Sequence, residues 1–441
     1  MKNVSVEELE RQSIELRKKV IAMIHKAKSG HPGGSLSAAD FVTALYFREM
    51  NLDPKNPKWE DRDRFVLSKG HVCPVQYAAL ATLGFFDESV LGTLRQEGSI
   101  LQGHPDMKKC PGIDISTGSL GQGLACGVGM GIAAKKDNRD YRVFVVVGDG
   151  ECQEGEIWEA AQTAHKYELD NLVVFVDNNN LQLDGTTDEV MPNINLGDKF
   201  KAFGFDTYEI DGHDMKQIVD TLDRIRMRKN GKPKCIFANT VKGKGVSFME
   251  NQCGWHGVAP NDEQYAQAMK ELDAQLKNWK SENQHKRMED KNMSEVKKAT
   301  RDGFGEEIVK LGKLDNDIYV VDVDIGKSCK TGEFRKQLPK QYLNVGIAEQ
   351  NAAGVAAGLA TCGKVPFVVT YAVFGSLRMC EMIRQEICYP KLNVKIACSH
   401  GGVTPANDGA SHQSIEDMGV LRTIPNMTVL MPADYHAAKN W

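Results

Sequence analysis

Tyr141-Arg142-Val143-Phe144-Val145-Val146-Val147-Gly148-Asp149-Gly150 is a largely apolar, β-branched run that stops on a Gly-Asp-Gly turn. An amphipathic stretch follows over Glu154–Tyr167, then a second apolar run over Asn171–Val176, then Asp177-Asn178-Asn179-Asn180. Read as strand, helix and strand, these segments put two polar turns at the carboxyl ends of consecutive strands, where open α/β sheets bind ligands. The glycines let backbone come close to a phosphate, and the helix beyond offers it free N–H groups. Asp149 and an Asn amide are hard oxygen donors suited to Mg²⁺, which needs few protein ligands when diphosphate oxygens complete its octahedron. Alone, Gly-Asp-Gly reads as a tight turn and the Asn run as a cap. Their separation by one strand–helix–strand unit favours the ligand.

The same alternation extends outward. Further strands are expected at Cys235–Thr240, Asp317–Val321, Val365–Val369, Val394–Cys398 and Thr428–Met431. Helices are expected at Val6–Lys28, Gly123–Lys136, Met215–Lys229, Val296–Leu311 and Ala352–Thr361. Continuous apolar strands between helices predict an α/β fold with parallel sheets covered on both faces. The charged stretch Leu276–Lys298 can bury no core and reads as a linker. The expected organisation is a first domain over 1–278, a linker over 279–298 and a second α/β domain over 299–441. Met288 and Met293 lie in that linker, at either of which a once-separate reading frame would begin; a plain linker is the simpler reading. The second domain is expected to be incomplete, because its last strand is followed by a helix start with no next strand to reach.

The chain has 441 residues, 41% of them hydrophobic, enough for two cores. A net charge of −4 and a pI near 6.3 leave no electrostatic footprint for nucleic acid or an anionic membrane. The start, Met1–Glu10, is polar, and no window approaches eighteen consecutive apolar residues, so no membrane span is expected. Eleven cysteines without a CxxC pair argue against a disulfide framework or a zinc site and favour a reducing, cytoplasmic location.

Four of the eleven histidines sit in glycine-rich turns: Ser29-Gly30-His31-Pro32-Gly33-Gly34, Ser68-Lys69-Gly70-His71, Gln102-Gly103-His104-Pro105 and Gly254-Trp255-His256-Gly257. One such histidine is an ordinary loop residue; four suggest imidazoles exposed to hydroxyl groups and able to move protons near neutral pH. Together with Thr117-Gly118-Ser119-Leu120-Gly121-Gln122-Gly123, these segments resemble the N-terminal half of the transketolase family of thiamine-diphosphate enzymes. The resemblance implies that His31, His71, His104 and His256 surround the thiazolium and the sugar, with Gly118, Ser119 and Gly150 against the cofactor. It further implies metal binding by Asp149 and Asn179 side chains and the Leu181 carbonyl, with the register inside Asn178–Asn180 open by one residue. The metal would be Mg²⁺ or another divalent cation such as Ca²⁺. Glu154 takes the family position thought to couple two such sites.

In the second domain, Asn344-Val345-Gly346-Ile347-Ala348-Glu349-Gln350-Asn351 joins a strand end to an Ala/Gly-rich helix. Glu349 reads either as a helix-terminal carboxylate favoured by the dipole or as the carboxyl that activates the cofactor's aminopyrimidine. The segment resembles the family motif that carries the activating Glu. Tyr371 and Phe374 would stack on the pyrimidine, where the family usually has Phe first. Arg301 and Ser328 are expected to hold a substrate phosphate, with a solvated helix face as the other reading of Arg301. Asp408-Gly409-Ala410-Ser411-His412-Gln413 resembles a family turn in which Asp408 and His412 recognise ketose hydroxyls. Here Ala406-Asn407 precedes it in place of Gly-Glu, which leaves the donor sugar open.

The resemblance implies reversible transfer of a two-carbon ketol unit between sugar phosphates through a thiamine-diphosphate ylide, as in the pentose phosphate pathway. It also implies a homodimer with its sites at the subunit interface, and a chain lacking the family's C-terminal domain. The alternatives are a 1-deoxyxylulose-5-phosphate synthase, a pyruvate-dehydrogenase-like decarboxylase, and an inactive or non-catalytic truncated relative.

Overall fold

The computed structural model describes residues 4–279, 301–326, 328–402, 412–432 and 438. They form two compact units. The first takes in the chain up to Leu124 and again from Asp140; the second takes in Ala125–Arg139 and the chain from Arg301. Most of the expected linker lies outside the described residues, although helix Asp262–Trp279 runs to its first position.

The first unit holds a five-stranded sheet of β1 (Arg64–Leu67), β2 (Val143–Gly148), β3 (Leu172–Asn178), β4 (Asp206–Asp211) and β5 (Lys234–Asn239), in the order β1-β2-β3-β5-β4. Every ladder in it is parallel. Strand β2 is buried along its whole length and β3 up to its last residue, because helices cover both faces; this is why the sequence shows continuous apolar runs there. Gly148 pairs with Asp177, so the turns after β2 and β3 emerge side by side. The longest helix, α1 (Val6–Ala27), is capped by Ser5, whose hydroxyl accepts from Glu8 N–H at 3.3 Å.

The second unit holds a parallel sheet of β6 (Ile318–Asp322), β7 (Tyr342–Asn344), β8 (Val365–Tyr371) and β9 (Lys395–Ser399), ordered β7-β6-β8-β9. Helix α2 (Gln122–Lys136) supplies most of its length to this unit, although its sequence lies inside the expected first domain. Gly129 of α2 meets α3 (Glu349–Thr361) so closely that a Cβ would lie 2.3 Å from the Val355 carbonyl oxygen. A Cβ on Gly358 would lie 2.1 Å from that of Cys126. The same contact is fastened by Lys364 Nζ, which reaches Asp137 at 2.6 Å and Asp317 at 2.7 Å.

Two expectations are corrected. Thr428–Met431 is not a strand: it makes no ladder among the described residues, and apolar β-branched residues without a paired backbone do not constitute one. Three short strands, β1, β4 and β7, were not anticipated. Arg64 and the polar residues of β4 interrupt the apolar signal, and β7 is only three residues long. The C-terminal helix start beyond Pro432 lies largely outside the described residues.

Helix crossings this close tolerate no side chain. Gly358→Val should lower unfolding stability by about 2–3 kcal/mol through overpacking. Gly332→Ala, where a Cβ would meet nothing within 4 Å, should be neutral. Urea denaturation of both variants checks the contrast.

Candidate functional site

The two polar turns of the first unit are tied together by Asp149. Its Oδ2 accepts from Asn180 N–H at 2.5 Å and its Oδ1 from Gly150 N–H at 2.9 Å, while its carbonyl accepts from Asn193 at 2.6 Å. Asn179 is buried and turns its Oδ1 onto the Leu181 N–H at 3.2 Å. The Leu181 carbonyl accepts from Lys242 Nζ at 2.9 Å. Asp149, Asn178 and Asn180 line a polar cleft of about 490 Å³. Among the described residues no group of three or more His, Cys, Asp or Glu side chains could hold a metal by itself. One carboxylate, one amide and one carbonyl suit a hard divalent cation that takes its remaining oxygens from a diphosphate. Burial, then the nearby Asp177 carboxylate, push Asp149 up to about 6.

Behind this turn lies a buried polar knot absent from the sequence reading. Lys69 Nζ pairs with Asp177 Oδ2; Ser37 Oγ donates to the same oxygen at 2.6 Å, and Thr240 Oγ1 donates to Oδ1. Glu151, also buried, accepts from Ser68 Oγ, from Gly121 N–H at 2.9 Å and from Gly148 N–H at 3.0 Å. Glu154 is exposed, with Gly121 against its Cβ, where any side chain on Gly121 would collide.

Three of the four glycine-turn histidines form one cluster. The rings of His31 and His71 lie 5.1 Å apart, those of His31 and His256 5.6 Å, and those of His71 and His256 5.2 Å. His104 stands beside Gly118, at φ 149°, where a Cβ would lie 3.0 Å from its ring. Ser119 is half-buried and accepts from Gln122 at 3.1 Å. Burial, then Arg95, hold His31 down to about 4, and burial, then Lys242, hold His256 at about 3. Burial followed by Lys69 puts His71 well below the ordinary range. Near neutral pH these are uncharged rings, each able to donate at one nitrogen and accept at the other. Lys242 Nζ lies 2.8 Å from His256 Nδ1 and is itself lowered by burial to about 8.

In the second unit a chain of contacts links most of the expected residues. Glu349 is buried at the first turn of α3, and its Oε2 accepts from Arg378 Nη1 at 2.6 Å; the carboxylate is engaged by an arginine, beyond any helix-end role. The Arg378 guanidinium lies over the Phe374 ring at 4.6 Å. Phe374 stacks with Tyr371 at 6.2 Å and meets His412 edge-on at 5.4 Å. Tyr371 also packs against His400 at 4.3 Å. Arg301 Nη1 lies 2.7 Å from His400 Nε2, and because arginine only donates, that nitrogen accepts. Its Nδ1 meets Ser399 Oγ at 2.7 Å. Ser328 is half-buried in the turn after β6, bonded through its N–H to Ile325 O at 2.9 Å. Asp408 lies outside the described residues. The reading from sequence missed the roles of Lys69, Asp177, Lys242, His400 and Arg378; of these only Lys69 and Asp177 stand in turns already singled out.

Residues 10–305 match the family described as transketolase, thiamine diphosphate binding domain, and residues 296–441 match transketolase, pyrimidine binding domain. The chain belongs to the transketolase family, enzymes that transfer ketol units with thiamine diphosphate. It is 46% identical over 283 residues to one subunit of the apulose-4-phosphate transketolase of Phocaeicola vulgatus, covering 64% of this chain and all of that one. A 6-deoxy-6-sulfo-D-fructose transketolase subunit from a Clostridium species is 45% identical over 60% of this chain and 96% of its own length. Human transketolase is 34% identical over 92% of this chain and 67% of its own. The crystal structure of Campylobacter jejuni transketolase superposes with a TM-score of 0.82 at 27% identity, covering 97% of this chain and 75% of that one.

The raised pKa of Asp149 has a consequence for stability. A carboxyl whose folded pKa lies above its unfolded value weakens the fold as pH rises through the interval between them, here from about 4 to about 6. Asp149→Asn should therefore be more stable than the parent in metal-free buffer above pH 6, with the gain vanishing below pH 4, while losing divalent-cation-dependent diphosphate binding. Chemical denaturation across pH with calorimetry on the same samples measures both.

Proposed function

We propose that the chain transfers a two-carbon ketol unit from a ketose phosphate to an aldose phosphate, as in the pentose phosphate pathway. The observation that carries this is the run of contacts from Arg301 through His400, Tyr371 and Phe374 to Arg378 and Glu349, which joins an arginine suited to a phosphate to a buried carboxylate. Bound thiamine diphosphate supplies a nucleophilic thiazolium carbon and an electron sink. Asp149, Asn179 and the Leu181 carbonyl hold its diphosphate through Mg²⁺ or Ca²⁺. Gly118, Ser119 and Gly150 would lie against it, and Tyr371 and Phe374 would stack on its pyrimidine. Glu349 would share a proton with the pyrimidine ring through Oε1, while Arg378 holds its Oε2. His31, His71, His104 and His256 bind sugar oxygens, and imidazoles of this set move protons, while Arg301, with His400 and Ser328, holds the substrate phosphate. Asp408 and His412 read the donor's hydroxyls.

The homodimer and the cytoplasmic location implied by the resemblance belong to this reading. Among the described residues no helix is long and apolar enough to cross a membrane. Two relatives near 45% identity are named as subunits acting on apulose 4-phosphate and on 6-deoxy-6-sulfo-D-fructose. With Ala406-Asn407 in the donor turn, they favour a second reading: a ketose outside the pentose phosphate set, and a partner chain in place of a second copy. Pyruvate, the donor of the synthase and decarboxylase alternatives, needs neither Arg301 nor His412.

Competition between xylulose 5-phosphate, apulose 4-phosphate, 6-deoxy-6-sulfofructose and pyruvate should favour a phosphorylated ketose by at least about tenfold, roughly 1.4 kcal/mol. Preference for pyruvate would refute ketose donation. Glu349→Gln should lower ketol transfer by on the order of 10³-fold or more while calorimetry finds diphosphate binding nearly intact. Near-normal turnover in that variant removes Glu349 from the chemistry.

A further inference from the structure

Arg95 lies outside every motif that carries the proposed reaction, yet it touches the histidine cluster. It has a left-handed backbone, φ 61°, and its N–H donates to Leu101 O at 2.9 Å, closing a short loop. Its side chain reaches back across the fold. Nη1 donates to Ser29 Oγ at 2.8 Å, and Nη2 lies 3.3 Å from His31 Nδ1. Gly103 faces the guanidinium, and a Cβ there would sit 3.1 Å from Arg95 Nε. The arginine thus spans two histidine-bearing turns, Ser29–Gly34 and Gln102–Pro105.

We propose that Arg95 is a positioning residue that fixes His31 as the Nε2–H tautomer, making His31 a hydrogen-bond donor that takes up no proton at Nε2. The argument is one of donor count. A guanidinium carries five N–H donors, no acceptor, and does not deprotonate in proteins. A ring nitrogen facing it presents a lone pair, which leaves the single proton of a neutral imidazole on the other nitrogen. The groups acting on His31 are Arg95, His104 and Lys242, all basic, together with burial, and the rings of His71 and His256 stand against it. They favour the uncharged form. The far edge of the ring faces Gly257, where a Cβ would stand 3.3 Å from Nε2. Lacking a side chain, Gly257 leaves that N–H open.

The functional consequence rests on the ketol-transfer reading. A ring pinned in this way stabilises charge on a sugar oxygen by donation, and proton uptake falls to the imidazoles with no cation against a ring nitrogen. The tautomer itself does not depend on that reading, so the two fail separately.

The test is long-range proton–nitrogen NMR on the full chain with ¹⁵N-histidine, without cofactor, the His31 signals being identified by their loss in His31→Gln. The expected spectrum has an unprotonated Nδ1 and a protonated Nε2. Arg95→Met should replace this fixed pattern with signals averaged between tautomers, and Arg95→Lys, which keeps a cationic donor, should retain it. A protonated Nδ1 in the parent chain overturns the proposal, and so does an unchanged pattern in Arg95→Met. If Arg95→Met does not fold, the parent spectrum alone decides. Absence of ketol transfer with the expected tautomer intact would sink the functional reading and leave this inference standing.

Discussion

The carboxylate of Asp177 is the fixed point of the first unit. It sits at the end of β3, fully buried, and three donors from distant segments converge on it: Lys69 from the turn after β1, Ser37 from the helix that follows His31, and Thr240 from the end of β5. Burial alone would raise its pKa, but the Lys69 ammonium and these hydrogen bonds bring it below the ordinary value. The donors pull in the segments that carry His71 and His31, and Thr240 leads directly to Lys242, which reaches His256. One buried charge therefore sets the spacing of three imidazoles. Breaking a buried pair of this kind leaves an uncompensated ion and costs about 3–5 kcal/mol, so the geometry is strongly held.

Cations shape the chemistry of both units by the same rule. Lysine and arginine donate hydrogen bonds and do not accept them, so each imidazole nitrogen facing one must be an acceptor. Lys242 against His256 and Arg301 against His400 repeat this pattern. His256 stays neutral where free histidine would be partly charged, and a neutral ring can donate to a hydroxyl without repelling a cationic ligand. The cost appears at Asp149 and Glu151, buried acids whose pKa values burial raises.

Much of the site was legible in local sequence. Gly148-Asp149-Gly150 ends a strand that the structure draws within a residue or two of its expected bounds, and parallel pairing does bring it beside Asp177–Asn180. His31, His71 and His256 share glycine turns, and they meet. What was not legible depends on long-range contact. Lys69 and Asp177 are 108 residues apart, Arg301 and His400 are 99, and neither partner carries a local signal that names the other. Thr428–Met431 has the right composition for a strand and is not one, because composition does not provide a neighbour.

The sequence by itself determined the parallel α/β class, the glycine-framed turns and the family, since these follow from periodicity and from residue types at short fixed spacing. Only the tertiary structure decided that helix Gln122–Lys136 packs mainly in the second unit, through glycines 129 and 358, and that Glu349 rests in the grip of Arg378. It also decided which imidazole nitrogens face cations. Those outcomes turn on burial and on the direction of single hydrogen bonds between distant segments, which exist only once the chain has closed on itself.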